Sequence, residues 1–395
     1  MTTETRKPVE VSTEEACSNT DPLHLIDVDY VRLYVGNAKQ AAFYYAYAFG
    51  FNVTQFDDLT TGNRKEATYL LTQGNIRILL TTGLLPNHPA QRHINLYGDG
   101  VKDIAFTVFD AEKAFNRAVE NGAEVAYKPY TVADENGAVT RAAIKTYGEV
   151  IHTFVSRTGQ YILPNIKKGG RLLPGFESMD HPLNHYNEEN PCGLKFLDHC
   201  VGNVELDGMD RTVEWYEKVL EFSMFKHFDD EDISTEYSAL MSKVMSSGGG
   251  LIKFPINEPA EGKRKSQIQE YLDWHNDTPG IQHLAFRTND AIQSIAELRR
   301  RGVNFLQIPD AYYENVWDRV GSIEEEKQIA LKQKAEEEER IKQENQRIKE
   351  WEDKFDQEQK LREEELIRKF YSGNSSTSLE EDTKTPLEED TKTPL

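Results

Sequence analysis

Gly280-Ile281-Gln282-His283-Leu284-Ala285-Phe286 repeats the pattern of Gly100-Val101-Lys102-Asp103-Ile104-Ala105-Phe106, which lies 180 positions earlier. In both copies an Asp-Ala pair follows at the same distance, Asp110-Ala111 and Asp290-Ala291, and a glycine closes the helix-like stretch at Gly122 and Gly302. An upstream pair matches as well. Asp29-Tyr30 leads to Phe43-Tyr44-Tyr45 and Phe49-Gly50-Phe51, while Asp198-His199 leads to Glu214-Trp215-Tyr216 and Leu220-Glu221-Phe222. The chain therefore reads as a duplicated module. At two matching points the copies differ: Tyr30 and Asp103 in the first become His199 and His283 in the second. The first copy reads as structural, and the second carries two imidazoles suited to hold a metal.

Composition bounds the rest. The 395 residues accommodate two domains of ordinary size and a tail. A net charge of -21 argues against nucleic acid or an anionic membrane as partner, because both need a basic surface. No apolar run reaches the roughly 18 residues of a membrane span. Met1 to Cys17 is polar, without the apolar core of a secretory signal. Cys17, Cys192 and Cys200 are irregularly spaced and suit a reducing compartment, so a cytoplasmic enzyme or binding protein is expected.

The expected organisation follows the apolar spacing. Residues 1–22 read as a disordered lead-in and 23–160 as a first domain. A sparsely periodic linker spans 161–193, and a second domain occupies 194–320. In the first, Asp27 to Val35 alternates like a strand, and Asn37 to Phe49 has helical spacing ending at Gly50. Short strands are expected at Glu66 to Leu71, Ile76 to Thr81, Ile104 to Phe109, Ala142 to Thr146 and Val150 to Val155, with a helix from Ala111 to Glu120. This gives strand-helix-strand-strand-strand, taken twice. The second domain repeats the order with strands at Leu197 to Val204, Glu236 to Val244, Leu251 to Phe254, Ile281 to Arg287 and Val303 to Gln307. Its helices are expected at Met209 to Leu220 and Ala291 to Arg301.

After Gly302 the repeat does not run to completion. Ser322 with Glu325 makes a capping box, and helix-forming Glu, Lys, Gln and Arg dominate the residues that follow. A helix over 321–371 is expected, about 70 Å long at 1.5 Å per residue. Ile341, Ile348 and Phe355 form a heptad fragment, with Lys334 and Arg362 breaking the seam on either side. Residues 372–395 end in an octapeptide written twice, Glu380 to Leu387 and Glu388 to Leu395, and read as disordered and acidic. Self-association into a homo-oligomer, and a protein partner for the helical tail, are further expectations.

His199 and His283 fall on strands that a curved sheet would bring side by side. Neutral imidazole is the commonest ligand for transition metals. Two His with one carboxylate make the triad of non-haem Fe(II) oxygenases, leaving positions open for substrate and oxygen. Two distant His are, by spacing alone, more often ordinary half-buried side chains. Their placement where the sister module has non-ligands tips the reading toward a metal.

The segment Leu197-Asp198-His199-Cys200-Val201-Gly202-Asn203-Val204 is followed by Thr235-Glu236-Tyr237-Ser238-Ala239-Leu240 and Pro255-Ile256-Asn257-Glu258-Pro259-Ala260. Lys265-Ser266-Gln267-Ile268 and Gly280-Ile281-Gln282-His283-Leu284-Ala285 complete the series. In this order they closely resemble the 4-hydroxyphenylpyruvate dioxygenase family. Tyr30-Val31-Arg32-Leu33-Tyr34-Val35-Gly36-Asn37 extends the resemblance into the first module, and together it covers about residues 25–320.

The resemblance implies an α+β, vicinal-oxygen-chelate (glyoxalase-like) fold with two tandem βαβββ modules per domain and the catalytic domain second. It implies Fe(II) bound by His199 and His283, with O2 and an aromatic 2-oxo acid as substrates. Oxidative decarboxylation and ring hydroxylation with side-chain migration would give homogentisate, a step of tyrosine breakdown. Ser242, Asn257, Gln267 and Gln282 match positions that line the family's substrate pocket. Neutral amides and a hydroxyl orient a carboxylate or phenol without competing for the metal. Without that context Asn257-Glu258-Pro259 reads as a turn, Ser242 as an ordinary strand residue and Gln267 as helix surface. The family's third ligand is a Glu on a late strand, and nothing after Val320 resembles its segment. Glutamates from Glu324 to Glu365 read as a solvated helix face, so none is assigned as ligand. A catalytically inactive binding or scaffold protein is thus the first alternative to the dioxygenase. 4-Hydroxymandelate synthesis from the same substrate is the second.

Overall fold

In the computed structural model, the residues described are 23–228, 240–259 and 265–306, with Lys342, Gln346 and Lys349. The lead-in expected over 1–22 lies outside them. So do nearly all of the expected tail helix and the whole octapeptide repeat; the three described tail positions are helical and exposed.

The first module opens with β1 (Leu25–Tyr34), α1 (Ala38–Phe49), β2 (Asn52–Asp57), β3 (Glu66–Gln73) and β4 (Ile76–Gly83). After α2 (Pro89–Tyr97) the same order returns as β5 (Gly100–Val108), α3 (Ala111–Glu120), β6 (Val125–Asp134), β7 (Gly137–Lys145) and β8 (Ile151–Arg157). Two βαβββ units thus build one curled sheet, in which β1 pairs parallel with β4 and antiparallel with β5. The helix starts were legible because they are chemical. Asp110 accepts from the backbone N–H of Glu112 and Lys113, and Asp290 from that of Gln293, so the repeated Asp-Ala pair is an N-cap and first helical residue. Gly122 and Gly302 follow α3 and the helix Ala291–Arg300 at φ 103 and 84, a left-handed turn that favours glycine.

Residues 161–193 carry more structure than their composition suggests. After a 3-10 turn at Gly159–Tyr161 they form α4 (Leu163–Lys167), the edge strand β9 (Glu177–Ser178) and α5 (Pro182–Glu189). Tyr161, Ile166, Leu172, Leu173 and Phe176 pack with Tyr30, Leu70, Leu79, Ala105 and Val155 as a second apolar core. The inner face of the first sheet is filled by the chain that leaves it.

The second module holds β10 (Leu194–Asn203), α6 (Met209–Val219), β11 (Ser223–Phe228), β12 (Leu240–Ser246) and β13 (Lys253–Pro259). Then come α7 (Gln267–Trp274), β14 (Gly280–Thr288) and α8 (Ala291–Arg300). Its strand order, β11-β12-β13-β10-β14, copies β2-β3-β4-β1-β5 of the first sheet. The register agrees residue for residue. Tyr30 faces Ala105 and Arg32 faces Asp103; His199 faces Ala285 and Val201 faces His283. Tyr30 therefore matches His199, and Asp103 matches His283.

Several elements differ from expectation. β2, β6, α2 and β11 have weak periodicity and escaped the sequence reading; β6 is mostly exposed, so no buried face marked it. Val303 to Leu306 form no strand. Asn257-Glu258-Pro259 is no turn but the end of β13, paired with β12 through Asn257 and Ser242. Gly208, which precedes α6, supplies no capping side chain; Glu258 accepts from the Met209 N–H across 3.1 Å and places its carboxylate at that positive helix end.

Candidate metal centre

Side chains alternate across β10. Cys200 and Val204 face the apolar core shared with Met209, Val213 and Tyr216 of α6. His199, Val201 and Asn203 therefore share the other face, together with the residues opposite them. Asn257 stands beside Asn203 in the parallel β10–β13 pair, and Ser242 stands opposite Asn257. His199, His283, Ser242 and Asn257 thus lie on one face of the second sheet. The matching positions of the first sheet include Thr68 and Thr81, buried and hydrogen-bonded at 3.0 Å.

The imidazoles of His199 and His283 have ring centroids 6.0 Å apart and planes inclined at 71°. Two bulges in the β10–β14 ladder set this geometry. The register skips Asp198 between Leu197 and His199, and skips Gln282 between Ile281 and His283. Each skipped residue turns back to its histidine: Asp198 Oδ2 is 2.8 Å from His199 Nδ1, and Gln282 Oε1 is 3.0 Å from His283 Nδ1. A bulge re-aims a side chain in this way. The hydrogen bond from His199 holds the Asp198 carboxyl down at about 2 against the opposing push of burial, with Lys253 assisting from 3.4 Å. A carboxylate can only accept, so Nδ1 of His199 carries the proton and Nε2 is left as a lone pair. The Gln282 oxygen fixes His283 alike. Burial, and then proximity to His199, lower the His283 pKa and favour the neutral ring that a metal needs.

Of the remaining expected residues, Ser242 and Asn257 are buried, at 5% and 8% exposure. Gln267 is exposed at the first turn of α7, after the N-cap Ser266, and among the described residues no hydrogen bond joins it to the other five. Sequence reasoning missed Asp198, Lys253 and Asn203. The repeated Asp before Tyr30 and His199 was a visible signal for the first. Asn203 is fully buried, and neither its amide oxygen nor its nitrogen has a partner among the described residues. An orphaned amide on the histidine face is an open hydrogen-bonding position for a polar ligand.

The first module closes the same place with oxygen chemistry. Tyr30 and Thr153 donate to Asp103 Oδ2 at 3.4 and 2.7 Å, and Tyr127 lies 2.8 Å from Thr153. Burial raises the Asp103 pKa to about 6, against the pull of the Thr153 hydrogen bond, Arg32 and Arg141. Thr153 comes from β8, which pairs parallel with β5. Among the described residues no group of three or more His, Cys, Asp and Glu could hold a metal, and no strand among them pairs with β14 as β8 pairs with β5.

The family model of the Glyoxalase/Bleomycin resistance protein/Dioxygenase superfamily matches residues 27–145 and 197–326. A 4-hydroxyphenylpyruvate dioxygenase of Coccidioides posadasii is 43% identical over 302 residues, covering 73% of either chain. That of Dictyostelium discoideum is 44% identical over 296 residues, 74% of this chain and 78% of the relative. The chain belongs to the 4-hydroxyphenylpyruvate dioxygenase family. A mutant 4-hydroxymandelate synthase from Streptomyces coelicolor superposes with a TM-score of 0.62 at 27% identity, covering 74% of this chain and 79% of the other. The 4-hydroxyphenylpyruvate dioxygenase family is one of oxidoreductases, and tandem glyoxalase-type modules are its architecture here. No helix among the described residues is long and apolar enough to cross a membrane.

Proposed function

We propose that this chain is a 4-hydroxyphenylpyruvate dioxygenase whose Fe(II) is held by His199 and His283. The observation that carries the reading is the pair of imidazoles 6.0 Å apart, each with Nδ1 engaged and Nε2 left to coordinate. That donor set fits a divalent metal, and ligating histidines typically have such partners on the other nitrogen. Fe(II) held there would supply the Lewis-acid and redox chemistry that, with the 2-oxo acid and O2, ends in homogentisate.

The residues of the chain do the rest. Asp198, backed by Lys253, holds the tautomer and orientation of His199. Gln282 does so for His283, from a position that also reaches the substrate side. Ser242 and Asn257 offer neutral donors and acceptors from the sheet floor, with Asn203 beside them and Gln267 on α7 as the outer contact. The carboxylate that completes the set belongs where Thr153 stands in the first module, on a strand beside β14. Because nothing in the sequence after Val320 resembles the family segment that carries it, turnover by this chain is expected to be far below that of a family member with that segment. The same feature supports the second reading, an oxygenase body kept as a binding protein.

Oxygen uptake with Fe(II), ascorbate and 4-hydroxyphenylpyruvate, followed by product analysis, tests this. Homogentisate that disappears in His283→Ala supports the dioxygenase, and hydroxymandelate reassigns the product. Iron bound without any product leaves the binding protein. A chain that holds no iron after anaerobic reconstitution ends the metal reading.

A further inference from the structure

The first module carries no paired histidines, and its inner face is filled, yet one of its turns reaches the back of the histidine-bearing strands. Tyr147, in the turn between β7 and β8, is 8% exposed and sits in the core shared by both modules. A methyl group built on Gly202 would lie within 2.7 Å of the Tyr147 ring carbon that bears the hydroxyl. The next residue, Gly148, at φ 55, would with a side chain meet the backbone of Pro279, its carbonyl carbon at 3.0 Å. Gly202 lies on β10 three residues after His199, and Pro279 leads directly into β14.

The contact falls on the rung that matters. Gly202 pairs with Ile281, immediately beyond the Val201–His283 rung, and the skipped Gln282 lies between the two. The first module has the same bulge, between Arg32 and Leu33, but with Leu33 where the second has Gly202. Leu33 is buried in the same core, so a large side chain is accommodated at that position of the first module. The glycine is thus specific to the copy that receives Tyr147. The neighbouring residues lock the turn: His152 Nε2 is 2.9 Å from the Tyr216 hydroxyl on α6, and its Nδ1 is 3.0 Å from the Ile104 carbonyl.

We propose that Tyr147 is a positioning residue for the metal centre: packed on Gly202, it backs the bulge that aims Gln282 and His283 at His199. The first module then acts as the rigid plate against which the second holds its ligands, since precise sites depend on such supporting contacts. This inference rests on the metal reading above and is tested so that the two can fail separately.

Four full-length chains are compared: wild type, Gly202→Ala, Tyr147→Leu and the double variant. Co(II) titration by absorbance gives metal affinity, thermal melting gives overall stability, and hydrogen exchange follows the backbone amides of the metal-free chains. Gly202→Ala is expected to weaken Co(II) binding at least tenfold. The double variant, where the shorter leucine makes room for the methyl, should recover to within about threefold of wild type. Tyr147→Leu should speed exchange at Cys200 to Gly202 and Ile281 to Leu284 at least tenfold, with Met241 to Met245 of β12 unchanged. Equal Co(II) affinity in all four chains, or additive losses in the double variant, overturns the proposal and leaves the metal reading standing. If wild type binds no Co(II), the metal reading fails, and exchange decides: acceleration confined to the two strands upholds the positioning role, and unchanged exchange overturns it.

Discussion

His152 of the first module and Tyr216 of the second share a buried hydrogen bond of 2.9 Å, the ring of one lying against that of the other with centroids 5.8 Å apart. Burial pushes the His152 pKa down to about 4 from an ordinary 6.5, against a smaller upward effect of the Ile104 carbonyl. A depressed histidine is neutral in the fold and binds protons more readily when unfolded. Its contribution is therefore full above pH 6.5 and is lost as pH falls from there through 4. The shift is worth on the order of 3 kcal/mol. Urea unfolding between pH 7 and 4 should show this loss, and His152→Gln should remove part of it. His93, buried against His275 of the second module and also lowered to about 4, chiefly by desolvation, adds a loss of the same sign.

Asp103 has the opposite sign. Its folded pKa of about 6 stands above the ordinary 3.8, so its stabilisation is complete below 3.8 and fades as pH rises through 6. Asp103→Asn should accordingly gain stability relative to wild type as pH goes from 4 to 6, levelling off above that at no more than about 3 kcal/mol. A difference that stays flat with pH would show that the carboxyl titrates normally.

Asp198→Asn keeps the shape of the side chain but removes the charge that orients His199. Metal affinity should fall about 10- to 100-fold, the usual cost of losing such a partner. His199→Ala and His283→Ala should each lower it further, measured by Co(II) titration, with melting temperatures close to wild type because the His199 ring is partly exposed and His283 is exposed.

The filled inner face of the first module predicts a stability effect without a metal effect. Leu172 is fully buried against Tyr30 and Leu79. Leu172→Ala should cost about 2 to 5 kcal/mol, the range for a leucine cavity in a packed core. Co(II) affinity should stay unchanged.

Tyr30→His combined with Asp103→His places two imidazoles on the matching strands of the first module. No second metal should bind, since Tyr161, Leu172 and Leu173 occupy the space where ligands would converge. A stoichiometry of two metals per chain would show that the two rings suffice without an open cavity.

The sequence by itself determined the duplication, the helix starts and the residues that differ between the copies. Those signals are local: an Asp that caps a helix, a glycine that ends one, an apolar face repeated at fixed spacing. Hence His199 and His283 stood out against Tyr30 and Asp103 before any contact was known. The weakly patterned β2, β6 and β11 did not, because exposed or mixed strands leave no periodic trace. Only the tertiary structure decided that Asp198 and Gln282 are the bulged residues that fix each histidine, that residues 161–176 fill the first sheet, and that Gly202 is glycine because Tyr147 lies on it. Each of these depends on register or on contact between segments far apart in the chain, where a one-residue slip would turn every side chain to the other face.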